Sequence, residues 1–220
     1  MYSFSVNELR HGFVGAIVHA GKREPSAIGK ARASGPLALD RMGFEGDTVA
    51  DRRNHGGLDK AVCVYPASRY EAWQERYGRA LRRPAFGENL LVAGVEEQDV
   101  CVGDVIRLGA ALVQVSQPRV PCYKPAAFTG ERRLTVDLRT SGWTGWYLRV
   151  LEAGLVREGD EGLLLERERG ALSVLRLNEL RYGEPIDVAD LLAAADAPGL
   201  MEAWREAFRE RAVKQQRPGT

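Results

Sequence analysis

Cys122 sits in the run Gln117-Pro118-Arg119-Val120-Pro121-Cys122-Tyr123-Lys124. Each proline fixes φ and removes a backbone donor, so the stretch predicts a stiff, non-helical turn holding the cysteine. Arg119 and Lys124 put positive charge beside the sulfur and favour its thiolate, the form that serves as nucleophile and as soft metal ligand. The same pattern also suits a small apolar filler at a strand end.

A second cluster begins at Gly46-Asp47 and continues through Asp51-Arg52-Arg53-Asn54-His55-Gly56-Gly57-Leu58-Asp59-Lys60. The paired glycines allow a positive φ or a close approach of backbone to a ligand. The charges run straight into the apolar stretch Ala61-Val62-Cys63-Val64-Tyr65, which puts them at the rim of a core strand, where sites are usually built. Neither spacing nor context matches a P-loop or a dinucleotide fingerprint. A turn braced by an Asp–Arg pair explains the cluster as well. In a third stretch, Phe86-Gly87-Glu88-Asn89-Leu90, Asn89 either caps a turn or offers its amide to a polar ring edge. Cys63 and Cys101 fall within apolar alternation and read as core. His11 and His19 receive no role.

These residues need elements to position them. Short β-type runs occur at Gly12–His19, Lys60–Tyr65, Asn89–Val92, Asp104–Leu108, Ala111–Ser116, Trp146–Leu151 and Gly162–Glu168. Turn signals separate them, which favours a closed or nearly closed β architecture. One helix interrupts, with Tyr70, Trp73 and Tyr77 at helical spacing and Gly78 as its stop. Past Leu172 the texture changes, dividing the chain into 1–168 and a helical region, 169–220. Leu172 to Leu180 predict a helix ending near Gly183-Glu184-Pro185, Asp187 caps a second, and Leu200 to Val213 form a third. The last helix alternates Glu202, Glu206 and Glu210 with Arg205, Arg209 and Arg211. Such compensating pairs leave no basic face for nucleic acid, so packing or partner docking is expected there.

The chain has 220 residues, and its net charge of +1 gives no general pull toward nucleic acid or membrane. Its 3 cysteines include no Cys-x-x-Cys pair, against a zinc ribbon or a thioredoxin-like site. No apolar segment is long enough to span a bilayer, and the N-terminus lacks the pattern of a signal peptide, so a cytoplasmic location is expected.

Taken in order, and followed by Gly142-Trp143-Thr144-Gly145-Trp146-Tyr147-Leu148-Arg149-Val150, the clusters resemble the MOSC-domain family. The match is closest to its stand-alone bacterial branch of the 6-hydroxylaminopurine-resistance type, which carries a three-helix tail. It runs from Lys30 through His55-Gly56-Gly57-Leu58-Asp59-Lys60, Gly87-Glu88-Asn89-Leu90, Val102-Gly103-Asp104 and the Cys122 run to the Trp146 strand. The resemblance implies a mainly β, α+β fold: a β-barrel with a small C-terminal three-helix appendage.

It further implies a molybdenum cofactor (molybdopterin), with Cys122 as the catalytic cysteine that bonds molybdenum through sulfur. Arg53, His55, Lys60, Asn89, Arg119, Lys124 and Arg149 are then the candidates for holding the cofactor. The implied reaction is reduction of N-hydroxylated compounds such as hydroxylaminopurine bases. No flavin fingerprint or iron–sulfur spacing is visible in this chain, so electrons are expected from a separate reductase, with the tail as one docking surface. The alternative is a non-catalytic carrier of cofactor or sulfur. A metal-free cysteine hydrolase using His55 as base is a third reading, which geometry would decide.

Overall fold

The computed structural model describes residues 2–51 and 55–216. From the N-terminus its strands are β1 (Ser3–His11), β2 (Gly15–His19), β3 (Lys22–Ser26), β4 (Ala31–Arg32), β5 (Leu37–Asp40) and β6 (Gly43–Phe44). They continue as β7 (Val62–Pro66), β8 (Leu90–Ala93), β9 (Val105–Leu108), β10 (Ala111–Pro118), β11 (Trp146–Glu152), β12 (Gly154–Val156) and β13 (Glu161–Glu166). Seven of them form a barrel in the order β13-β9-β10-β11-β7-β8-β1, closed where β1 pairs with β13. Closure leaves the barrel no free edge. The β7–β8 pair is parallel, and helix α1 (Ala67–Tyr77) makes the crossover that a parallel pair requires.

The predicted barrel, six of its seven strand runs and the helix ending at Gly78 are present, with shifted ends. Strand β1 was not expected. Its inward residues Phe4, Val6 and Leu9 break strict alternation because a bulge lies between Val6 and Glu8. The run Gly12–His19 is also not one strand. The chain leaves β1 at His11 and starts afresh at Gly15 in a separate two-stranded hairpin, β2–β3.

Two further helices were missed: α2 (Tyr123–Thr129) and α3 (Leu134–Ser141). Cys122 is therefore not inside an irregular turn. It has extended backbone and is the N-cap residue of α2. Pro125 falls in the first turn, where a missing N–H costs little, so the prolines flank a helix start.

The remaining helices are α4 (Val174–Tyr182), α5 (Val188–Ala195) and α6 (Glu202–Gln216). Leu177, Leu180, Leu191, Trp204 and Phe208 join the same hydrophobic core as the barrel residues Val113, Trp146 and Leu148. The tail thus packs on the barrel. Its expected stop at Gly183 and its Asp187 cap are present, and the Asp187 carboxylate accepts the Ala189 N–H. Replacing Asp187 with alanine should cost about 1 kcal/mol in a denaturant titration.

One buried pair ties these parts together. The Glu97 carboxylate accepts from Arg69 Nε (2.8 Å) and from the Gly145 N–H (3.0 Å). Gly145 has φ +69° and lies so close to Val64 O that a side chain would collide with it. Its carbonyl in turn accepts the Arg119 N–H, which sets the strand end leading to Cys122. No helix among the described residues is long and apolar enough to cross a membrane.

Candidate functional site

A cavity of about 530 Å³ opens where the β1–β2 connection, the feet of the β2–β3 hairpin, the segment before β7 and the start of α2 meet. Its lining includes Lys30, Asp47, Asp51, His55, Lys60, Cys63, Asn89, Lys124 and Tyr147. Four of the candidate residues, His55, Lys60, Asn89 and Lys124, are thus brought to one cleft. Arg53 lies outside the described residues.

The cationic side of this cleft shows in the titration of His55. Burial first, then the charges of Arg119 and Lys124 and a smaller push from Lys60, together lower its pKa to about 4 against the pull of Asp51. His55 is therefore a neutral imidazole at pH 7, able to donate from one ring nitrogen and accept at the other. Lys60 sits in the short 3-10 turn Leu58–Lys60, and its pKa is also lowered, by burial against the opposing charges of Asp59 and Asp51. Lys124 is in the first turn of α2, whose unpaired N–H groups add positive potential.

Arg119 lies behind the cavity wall formed by Cys63 and Tyr147. It is 3% exposed, and its Nε and Nη1 have no hydrogen-bond partner among the described residues. Burial works against its charge, but Cys122, Tyr147, Cys63 and Tyr65 outweigh that and raise its pKa. A bulge in β10 between Val115 and Gln117 accounts for its inward position. There alternation gives way to four consecutive buried residues before Arg119. Buried guanidinium N–H groups left without an acceptor call for one from outside the chain.

Cys122 is half-buried and carries a free thiol. It is not itself among the lining residues. It stands at the border of the cleft, two residues before Lys124 and within electrostatic reach of Arg119 and Tyr147. No hydrogen bond joins Cys122 to His55 among the described residues, so the hydrolase reading has no geometric support here.

Two candidates are committed elsewhere. Arg149 donates from Nε to Asp59 (2.7 Å) and from Nη1 to Gln114 (2.9 Å), and it is not among the lining residues. Its place is outside the cleft, as a brace on the turn that carries Lys60. Asn89 lines the cleft, but its amide is spent on the protein. Nδ2 donates to Arg10 O (3.2 Å) and Asp47 Oδ2 (2.8 Å), while Oδ1 accepts the Cys63 N–H (3.0 Å). It holds the start of β8 against β7 and fixes Asp47.

Asp47 is the centre that sequence reasoning did not isolate. Lys30 Nζ donates to both its oxygens, and the Gly12 N–H donates to Oδ1 (3.0 Å). Gly46 has φ +71°, and a side chain there would strike the His11 ring; this tight turn aims Asp47 inward. The Gly46-Asp47 pair was visible in the sequence, but nothing local pointed to Lys30 or Asn89 as its partners. Tyr147 was missed as well. Burial raises its phenol pKa, and it faces Cys63 across the β7–β11 ladder. Cys63 and Cys101 are buried as expected, although Cys63 also forms part of the cavity wall.

Among the described residues no group of three His, Cys, Asp or Glu side chains could hold a metal ion by itself. A metal here would need most of its ligands from a cofactor. The residues present suit an anionic one: a soft sulfur donor, a cationic rim and an orphaned buried arginine.

Comparison with known proteins agrees with this organisation. The description of the MOSC domain matches residues 51–161, and that of the YiiM-like 3-alpha helix domain matches residues 172–211. The uncharacterized protein YflK of Bacillus subtilis is 42% identical over 208 residues, covering 94% of each chain. A crystal structure of YiiM from Geobacillus stearothermophilus superposes with a TM-score of 0.79 at 35% identity, covering 95% of this chain and 99% of that one. A Gibberella moniliformis protein named "Reductase" is 34% identical over 196 residues, which are 84% of this chain but 34% of that longer protein.

Proposed function

The chain belongs to the MOSC-domain family, and we propose that it is a molybdenum-cofactor-dependent reductase of N-hydroxylated compounds such as hydroxylaminopurine-type bases. The observation that carries this reading is the cationic cleft bordered by a free cysteine and backed by a buried arginine whose Nε and Nη1 lack hydrogen-bond partners among the described residues. When bound, the cofactor would supply the oxygen-accepting, two-electron chemistry, with Cys122 Sγ as its anchor in the protein.

The chain's own residues do the rest. Lys60 and Lys124 neutralise the cofactor's negative charge at the cleft rim, and Arg119 offers two N–H donors from behind. Neutral His55 can donate a hydrogen bond without adding repulsion to that ring of cations. In the net reaction the N–O bond breaks, the oxygen leaves as water, and two electrons and two protons are consumed. A separate donor supplies the electrons. The existence of a relative named "Reductase", in which a chain like this one makes up about a third, supports work beside other domains or proteins.

The test is metal analysis and pterin fluorescence on protein made in a cofactor-competent host. Cys122→Ala should retain molybdenum at least about tenfold less well than the parent and lose reduction of N-hydroxylated bases. Equal molybdenum content in both proteins would remove Cys122 from this role.

A further inference from the structure

Besides its cations, the cleft has an apolar part with its own origin in the fold. Val14, Ala27, Ile28, Val49 and Ala50 line the same cavity as His55, Lys60 and Lys124. Backbone contacts stitch together the three segments that carry them. Gly15 pairs with Ser26 at the foot of the β2–β3 hairpin, which brings the next residues, Val14 and Ala27, together. The Thr48 N–H donates to Gly12 O (2.9 Å), and Thr48 Oγ1 donates to the same carbonyl (3.0 Å). These bonds hold the segment of Val49 and Ala50 against the chain that leads to Val14.

Polar side chains along these segments already have partners. Ser26 Oγ accepts the Ile28 N–H (3.3 Å), Thr48 Oγ1 is held by Gly12 O, and the Lys30 ammonium is matched by Asp47. Polar groups engaged in this way have little to offer a ligand, so the wall presents mainly apolar contact.

The two parts of the cleft suit different occupants. An anionic cofactor gains from Lys60, Lys124 and the buried Arg119 N–H groups. It gains nothing comparable from a wall whose lysine is already matched. The apolar part also reaches solvent. Val14 is 46% exposed, and Met42, which lines the cavity as well, is 73% exposed. A ligand that enters and leaves at every turnover must pass this mouth.

We propose that Val14, Val49, Ala27, Ile28 and Ala50 form the substrate subsite, which selects the apolar faces of a flat ring and does not read the ring's hydrogen-bonding edge. This rests on the reductase reading and deepens it: the N–OH group is left to the Cys122 side of the cleft, and the ring body to this wall. The two ways of selecting differ in size. Apolar contact discriminates by roughly 10–200-fold, whereas a site built to hydrogen-bond a ligand rejects the analogue lacking that group by about 10⁴-fold or more.

Binding of unreactive amines tests the wall without turnover. Adenine has a hydrogen-bonding ring edge and 2-naphthylamine has none, although both are flat and bicyclic. Each is titrated calorimetrically into cofactor-loaded, full-length protein. Their dissociation constants should lie within about a hundredfold of each other, both with a negative heat-capacity change. Val14→Asn with Val49→Thr should weaken both amines about tenfold while molybdenum content and pterin fluorescence match the parent. Ala50→Leu, which takes up space without adding polarity, should weaken both bicyclic amines more than the single ring of aniline. Adenine bound more than about a hundredfold tighter than 2-naphthylamine would overturn selection by apolar contact. Absent amine binding, binding unchanged in the variants, or pterin lost from the double variant would remove the wall from the substrate's site. Failure of the reductase reading shows separately: both amines bind and respond to the variants, yet chemically reduced, cofactor-loaded protein consumes neither N-hydroxylated counterpart.

Discussion

Asp47→Ala should destabilise the protein by about 3–5 kcal/mol, read as a lowered denaturation midpoint at unchanged slope. Lys30 is buried, and its ammonium is matched by the Asp47 carboxylate, itself also nearly buried. Deleting the acid leaves that ammonium uncompensated and strips the Gly12 N–H and one Asn89 N–H of their acceptor. Breaking one side of a buried pair costs far more than the pair contributes, because the surviving charge is stranded away from water. The double variant Asp47→Ala with Lys30→Met should therefore recover part of the loss. Should Asp47→Ala alone cost less than about 1 kcal/mol, the proposed hub at the cavity floor is wrong.

The second large effect is a dependence on pH that belongs to His55. Its folded-state pKa of about 4 lies below the ordinary value of 6.5. The neutral ring's contribution is complete above pH 6.5. As pH falls, the unfolded chain takes up a proton that the native cleft refuses, and the contribution is lost by the time pH passes through about 4. The shift corresponds to roughly 3 kcal/mol. His55→Gln should flatten the stability–pH curve between those limits relative to the parent. Parallel curves for the two proteins would mean that burial and the surrounding cations do not hold His55 neutral. An anion bound in the cleft should raise the His55 pKa and shrink the difference, which NMR titration of the ring can follow.

Much of the architecture was legible along the chain, for local reasons. The strands of the barrel wall announce themselves by apolar runs between turns, and the tail helices by their spacing, the Asp187 cap and the Gly183 stop. What escaped was local regularity broken by tertiary demands. Strand β1 hides behind its bulge. Helix α2 hides behind its prolines, since Pro121 and Pro125 look like helix breakers and instead flank its start.

The cleft divides in the same way. By itself the sequence determined the residue types that could do chemistry: a cysteine among prolines and cations, a histidine before paired glycines, and the resemblance that joins them. Which cations serve the cleft was decided only by the fold. Arg119 and Arg149 look alike on paper, yet a bulge turns Arg119 inward without a partner, while Asp59 and Gln114 hold Arg149 outside. Lys30, Asp47 and Asn89 lie far apart in sequence and meet only when β1, the Gly46 turn and the start of β8 come together. The physical reason is common to both cases. Residue type states what a side chain can do, but the direction of a strand or turn determines whether its partner is the protein, water or a ligand.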